Sequence, residues 1–141
     1  MLQCKRMDDF TVVEHTADWA LRITGADLTA LLVNAARGMS SLLVADPAAL
    51  PLETARRFEL EAYDAESLLV EWLNELAYWA EMEQIVFREF ELADVTPTFL
   101  RAHVRGGHPP ELLKHIKAVT YHDLHIRETA VGLEATVVFD V

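Results

Sequence analysis

The chain has 141 residues, 52% of them hydrophobic, with five glycines, five prolines and no low-complexity run, which is enough to bury one core and too little for two ordinary domains. A single folded domain over 1–141 is expected. Twelve basic against twenty-three acidic residues give a net charge of −11, which repels a phosphate backbone and removes the electrostatic footprint of a direct nucleic-acid reader. The N-terminal apolar stretches are short and broken by Asp8, Asp9 and Glu14, so neither a secretory leader nor a membrane span fits there. The lone Cys4 has no mate for a disulfide or a thiolate zinc site, and a cytoplasmic location is expected.

Phe10 to Val13 and Trp19 to Ile23 are short apolar segments on either side of Glu14-His15-Thr16-Ala17-Asp18. A polar stretch in that setting makes a turn and brings Glu14, His15 and Asp18 near one another. Asp18 can accept hydrogen bonds from such a turn or serve a chemical role. Leu28, Leu31, Leu32, Ala35, Met39, Leu42 and Leu43 then recur at helical spacing, Asp27 stands at a capping position and Asp46-Pro47 supplies a stop, predicting a helix from about Asp27 to Val44.

Phe58, Leu60 and Ala62 alternate with charged residues as a strand. A second helix begins at Asp64, with Glu66 in its first turn and Leu69, Trp72, Leu73, Leu76 and Ala80 as its buried stripe; Glu71, Asn74, Glu75 and Glu81 fall largely off the stripe. Residues 59–94 hold eleven acidic side chains and one basic one. Such a stretch reads either as a solvated face or as a docking surface for a basic protein.

Val86 to Leu92 and Phe99 to Val104 read as strands, and Gly106-Gly107 with Pro109-Pro110 as a loop. A long strand is expected over about Ile116 to Arg127, followed by a last strand with Leu133, Ala135, Val137, Phe139 and Val141 on one face. Two helices among six or seven strands with short connections define an α+β class, the helices packed on one face of a largely antiparallel sheet in two layers.

Two further features carry chemistry. The final strand pattern runs into Phe139-Asp140-Val141, where the Asp140 carboxylate and a terminal carboxylate would stand within a few ångströms of each other. Paired anions call for a counter-charge, and an oxygen-only set suits a hard cation; a solvated acidic end is the alternative. Lys117 shares a strand face with Val119 and Tyr121, so its stem can lie along apolar surface with the ammonium at a rim. His115 and His122 fall on opposite faces, which argues against joint ligation and reads as two surface histidines. No phosphate-binding glycine loop, nucleophile elbow, His-Glu-x-x-His helix or CxxC pair occurs.

Glu14-His15-Thr16-Ala17-Asp18, Leu68-Leu69-Val70-Glu71-Trp72-Leu73, Lys117-Ala118-Val119-Thr120-Tyr121-His122 and Val138-Phe139-Asp140-Val141, in this order and spacing, resemble the archease family from about residue 10 onward. Trp19 is bulkier than the family pattern after the Asp18 motif, and the Gly106 to Pro110 loop lacks an acidic residue of its own. The resemblance implies an accessory protein rather than an enzyme. Its partner would be the tRNA-splicing RNA ligase that joins a 2′,3′-cyclic phosphate or 3′-phosphate end to a 5′-hydroxyl, and it would promote ligase guanylylation and multiple turnover in tRNA splicing or RNA repair.

It also implies metal ligation by Asp18, Asp140 and Val141, the last through main-chain or terminal oxygen, with Lys117 as the functional lysine and Glu14 and His15 in support. The implied cation is Ca²⁺, with Mg²⁺ or Mn²⁺ as alternatives; no membrane and no direct nucleic-acid partner are expected. A different class of function is a small metal-dependent phosphoesterase in which Asp18 and Asp140 hold a water-activating ion and Lys117 stabilises negative charge. A third is a chaperone-like binding module working through the acidic second helix.

Overall fold

The computed structural model describes residues 9–14 and 18–141, apart from the side chains of Glu14 and Asp18. Strands β1 (Phe10–Glu14) and β2 (Asp18–Gly25) form an antiparallel pair, followed by helix α1 (Leu28–Leu43), a short 3₁₀ turn at Pro47–Ala49 and β3 (Thr54–Glu61). Helix α2 (Ala65–Glu83) leads into β4 (Val86–Thr96) and β5 (Phe99–Gly107), and the short β6 (Ala118–Thr120) and β7 (Arg127–Thr129) precede β8 (Gly132–Asp140). The expected α+β class holds, with every strand pair antiparallel.

The strands divide over two sheets: β1-β2-β8-β6 with β7 also on β8, and β3-β5-β4. Both helices lie against both sheets, and a single buried cluster joins the layers. Helix boundaries follow local chemistry. Asp27 and Asp64 each take the extended N-cap conformation, and their carboxylates accept from the amides of Ala30 and Ser67, both at 2.8 Å. These bonds satisfy donors that the first helical turn otherwise leaves free. The Ser67 amide also holds the Asp64 carboxyl below its ordinary pKa.

Trp72 is fully buried in α2, and its indole N–H donates to the Leu32 carbonyl of α1 at 2.8 Å, so one side chain fastens the two helices. Phe58 and Phe90 flank it with ring centroids 5.9 and 6.1 Å away. Each large apolar side chain buried this fully contributes about 2–3 kcal/mol relative to exposure. Gly38 on α1 lets the first hairpin close in, since a Cβ there would stand 2.6 Å from Leu21 Cδ2.

Two expected elements differ. The pair Gly106-Gly107 does not interrupt the chain but continues β5, with Gly106 opposite both Thr54 and Phe87. The reason is steric, because a Cβ at Gly106 would lie 2.1 Å from the Val86 carbonyl oxygen. The long strand expected over Ile116 to Arg127 is instead two three-residue strands. Between them the Leu124 amide bonds the Tyr121 carbonyl at 3.1 Å, and Asp123 takes a left-handed φ of 50°. That conformation tolerates Asp better than most residues and ends the extended run.

Among the described residues, no helix is long and apolar enough to cross a membrane.

Candidate functional site

The site begins at one end of the five-stranded sheet, where β2 starts, β8 finishes and β6 starts. Asp18 is the register partner of Asp140, and Ala118 is the partner of Asp140 on its other side. Directly opposed residues of an antiparallel pair have Cα atoms about 4.5–5.5 Å apart. The next row inward is Trp19, Phe139 and Val119, in which Phe139 is completely buried and Val119 is 4% exposed. This apolar row ties the acidic row to the core.

The main-chain amide of Lys117 donates to the Asp140 carbonyl at 2.7 Å, so the lysine and the aspartate are adjacent through the backbone. Val141 packs partly buried against the core. The exposed Lys117 side chain borders a cleft of about 230 Å³ shared with Ile116 and with Asn74, Tyr78, Glu81 and Met82 of α2. Lys117 lies just before β6 and Tyr121 just after it, so the strand face expected to carry both with Val119 is not formed.

Glu14 closes β1 opposite Trp19; its side chain, like that of Asp18, is outside the described residues, as are His15 and Cys4. Among the described residues no group of three His, Cys, Asp or Glu side chains is placed to hold a metal ion. Asp140 is exposed at the sheet end, and one carboxylate alone does not make a divalent-cation site. A cation at this end would therefore need Asp18 and main-chain oxygen in addition to Asp140, and the register puts those positions side by side.

The two histidines are exposed and separate: His115 Nδ1 lies 3.0 Å from a Glu81 carboxylate oxygen, and His122 Nε2 lies 3.2 Å from Asp123. Two residues of α2 do more than their pattern indicated. The Asn74 amide oxygen accepts from the Val119 amide at 3.0 Å, and Glu66 accepts from the Ile126 amide at 3.0 Å. Together they hold the 117–126 segment on the helix. Asparagine favours side-chain bonds to backbone over helix interiors, so an Asn beside an apolar stripe was the available signal.

Four of the eleven acidic side chains of residues 59–94 have partners within the second sheet. Arg101 pairs with Glu59 at 2.9 Å and with Asp94, Arg105 with Glu89 at 3.0 Å, and His103 lies 3.5 Å from Glu91. At the end of β5, a Glu53 carboxylate oxygen lies against the Gly106 to Pro110 loop. The His108 amide donates to it at 3.2 Å and holds its carboxyl below the usual range. Trp19 is accommodated as a platform, with the Lys114 ammonium 3.8 Å above its ring.

Two helices fastened to two antiparallel sheets, with Asp18 and Asp140 paired at the β2-β8-β6 end, define a two-layer α+β fold. The profile of the Archease protein family (MTH1598/TM1083) matches residues 10–141. Protein archease of Methanosarcina acetivorans is 37% identical over 142 residues, covering 94% of this chain and 95% of that protein. Protein archease of Archaeoglobus fulgidus is 32% identical, covering 94% and 98%.

The solution structure of Methanobacterium thermoautotrophicum protein 1598 superposes with a TM-score of 0.81 at 28% identity, covering 96% of this chain and 100% of that one. A Thermotoga maritima crystal structure, described as an archease and possible chaperone, shares the fold with a TM-score of 0.65 at 23% identity over 92% of this chain and 94% of that one. The chain belongs to the archease family.

Proposed function

We propose that this protein is a non-catalytic activator of an RNA-splicing ligase, acting in tRNA splicing or RNA repair by promoting ligase guanylylation and repeated turnover. The observation that carries the reading is the shared row of Asp18 and Asp140 with the Lys117 amide bonded to the Asp140 carbonyl, three of the positions that the family resemblance marks. Membership of the archease family supports it. So does the description of the Thermotoga relative as a possible chaperone, a role that works on another protein.

In this reading Asp18, Asp140 and a Val141 main-chain oxygen hold a divalent cation, Ca²⁺ by resemblance, with Mg²⁺ or Mn²⁺ as alternatives. Hard oxygen donors suit each of these ions. Bound there, the cation supplies a local positive charge that neutralises the opposed carboxylates. Lys117 adds a second positive charge at the edge of the α2 cleft, from which it can reach an anionic group on the partner. Glu14 ends β1 and His15 follows it in sequence, and both would support the same end. The protein acts from the cytoplasm on a protein partner and does not itself hold RNA, since its net charge of −11 opposes phosphate.

The test is a ligation assay with limiting ligase, to which the protein is added as wild type, Asp18→Ala, Lys117→Ala or Asp140→Ala. Wild type should raise the number of turnovers per ligase, and each substitution should remove the stimulation. Hydrolysis of a phosphoester with no ligase present would replace this reading by that of a metal-dependent phosphoesterase.

A further inference from the structure

The register of β4 on β5 jumps between Phe87 and Glu89, which makes Arg88 the extra residue of a β-bulge. Bulges interrupt the regular alternation and re-aim a side chain. Arg88 is the single basic residue among the eleven acidic ones of 59–94. The adjacent Glu89 carboxylate is nevertheless taken by Arg105 of β5. The Arg88 Nε is buried and finds no hydrogen-bond acceptor, the one such side-chain atom among the described residues. A guanidinium N–H held out of water without an acceptor is unfavourable, and a site that binds an anion supplies the missing partner.

Arg88 lines a cleft of about 360 Å³ together with Phe10, Arg37, Ser40, Ser41 and Phe90. Arg37 reaches it from α1; its Nη1 donates to the Asn34 side-chain oxygen at 3.4 Å and pairs with an Asp9 carboxylate oxygen at 3.6 Å, while its other guanidinium N–H groups make no hydrogen bond among the described residues. The hydroxyl hydrogens are already engaged, since Ser40 donates to the Phe87 carbonyl at 2.7 Å and Ser41 to the Gly38 carbonyl at 2.6 Å. The donors left for a ligand are on the two guanidinium groups, Nη1 of Arg37 being already engaged. Both are cationic forks, suited to the oxygens of a tetrahedral anion.

We propose that the cleft between the β4 bulge and α1 is a binding site for a phosphate-class oxyanion, with Arg88 donating to it through Nε–H and Arg37 supplying the second positive charge. A phosphate has oxygens enough to meet both forks at once, whereas a carboxylate is occupied by one of them. The site lies on β4 and α1, away from the β2-β8-β6 end, and stands independently of the ligase reading.

The experiment is an NMR titration of the full chain with inorganic phosphate against chloride at matched ionic strength, following the arginine Nε–H signals and the backbone amides. Saturable shifts are expected at the Arg88 Nε–H and at the amides of Ser40 and Ser41. Arg88→Gln and Arg37→Gln should each weaken binding about tenfold or more, a change of about 1.4 kcal/mol. Acetate should bind at least as much more weakly than phosphate. Arg37 is exposed and its replacement leaves the core intact, so the test does not depend on how Arg88→Gln folds. Wild type that shows no saturable shift, variants that bind as wild type does, or acetate that matches phosphate would each overturn the proposal.

Discussion

Asp18 and Asp140 stand directly opposite each other at the end of the β2-β8 ladder, although 121 positions lie between them in the chain. If that row holds a cation, the folded state alone possesses the site, and the cation must stabilise it. Calcium at a hundredfold its dissociation constant should add about 2.7 kcal/mol to the unfolding free energy. Calorimetry of wild type with and without calcium reads this directly. The gain should vanish in Asp18→Asn and in Asp140→Asn; a gain that survives both would locate the ion elsewhere.

Asn74 bears on the same end indirectly, since its amide oxygen satisfies the Val119 amide one row in from Asp140. Asn74→Ala leaves that N–H unpaired in a part-buried position and should cost about 1–3 kcal/mol. Hydrogen exchange at Val119 should speed up more than exchange in β3 or β5. Uniform acceleration over both sheets would mean that the bond does not specifically secure β6.

Trp72 joins the helices through a buried bond to the Leu32 carbonyl. Trp72→Ala should destabilise by about 3–5 kcal/mol through cavity formation, while Trp72→Phe keeps most of the ring packing and should lose less. Urea unfolding of both variants measures the difference. Equal losses would show that the indole N–H, rather than the ring volume, governs the contact.

Gly106→Ala pushes a methyl group against the Val86 carbonyl and the Phe87 Cα. Both obstacles are backbone and cannot rotate away, so a loss of about 3 kcal/mol is expected. The urea midpoint reports it, and a neutral result would mean that the β4-β5 pairing there opens at little cost.

Asp64 carries a pH signature. Its folded carboxyl is held below the ordinary 3.8 by the Ser67 amide. The cap therefore contributes fully above that value, and its contribution is lost as the pH falls through the lower folded pKa. Asp64→Asn retains an oxygen acceptor without titrating. The stability gap between wild type and this variant should be constant from neutral pH down to about 5 and should shift in favour of the variant in acid. A gap independent of pH throughout would show that the carboxylate charge is not what the helix end uses.

The helices were legible because their signals are local. A capping aspartate, a stripe at three and four residues and a proline stop all lie within one segment, and the structure begins both helices next to Asp27 and Asp64. The alternation of β8 was legible for the same reason, with Ala135, Val137 and Phe139 buried. Separation into two sheets, the break at Asp123 and the continuation of β5 through Gly107 were not. Each depends on a partner distant in sequence: the carbonyl of Val86 crowding Gly106, or Asn74 and Glu66 taking amides that a longer strand would have paired. For the candidate site, spacing alone flagged Asp18, Lys117 and Asp140 separately, and their grouping rested on the family resemblance. Their backbone adjacency depends on β8 pairing with β2 and β6, which no local pattern encodes.

That β8 lies between β2 and β6 also has an entropic meaning. Bringing Asp18 to Asp140 closes a loop of more than a hundred residues, among the costliest contacts the chain makes in entropy. A chain stalled with only the β3-β5-β4 sheet and its helices formed would have helices and a partial core, yet lack the acidic row. The pairing of Asp18 with Asp140 therefore reports that the whole molecule has closed.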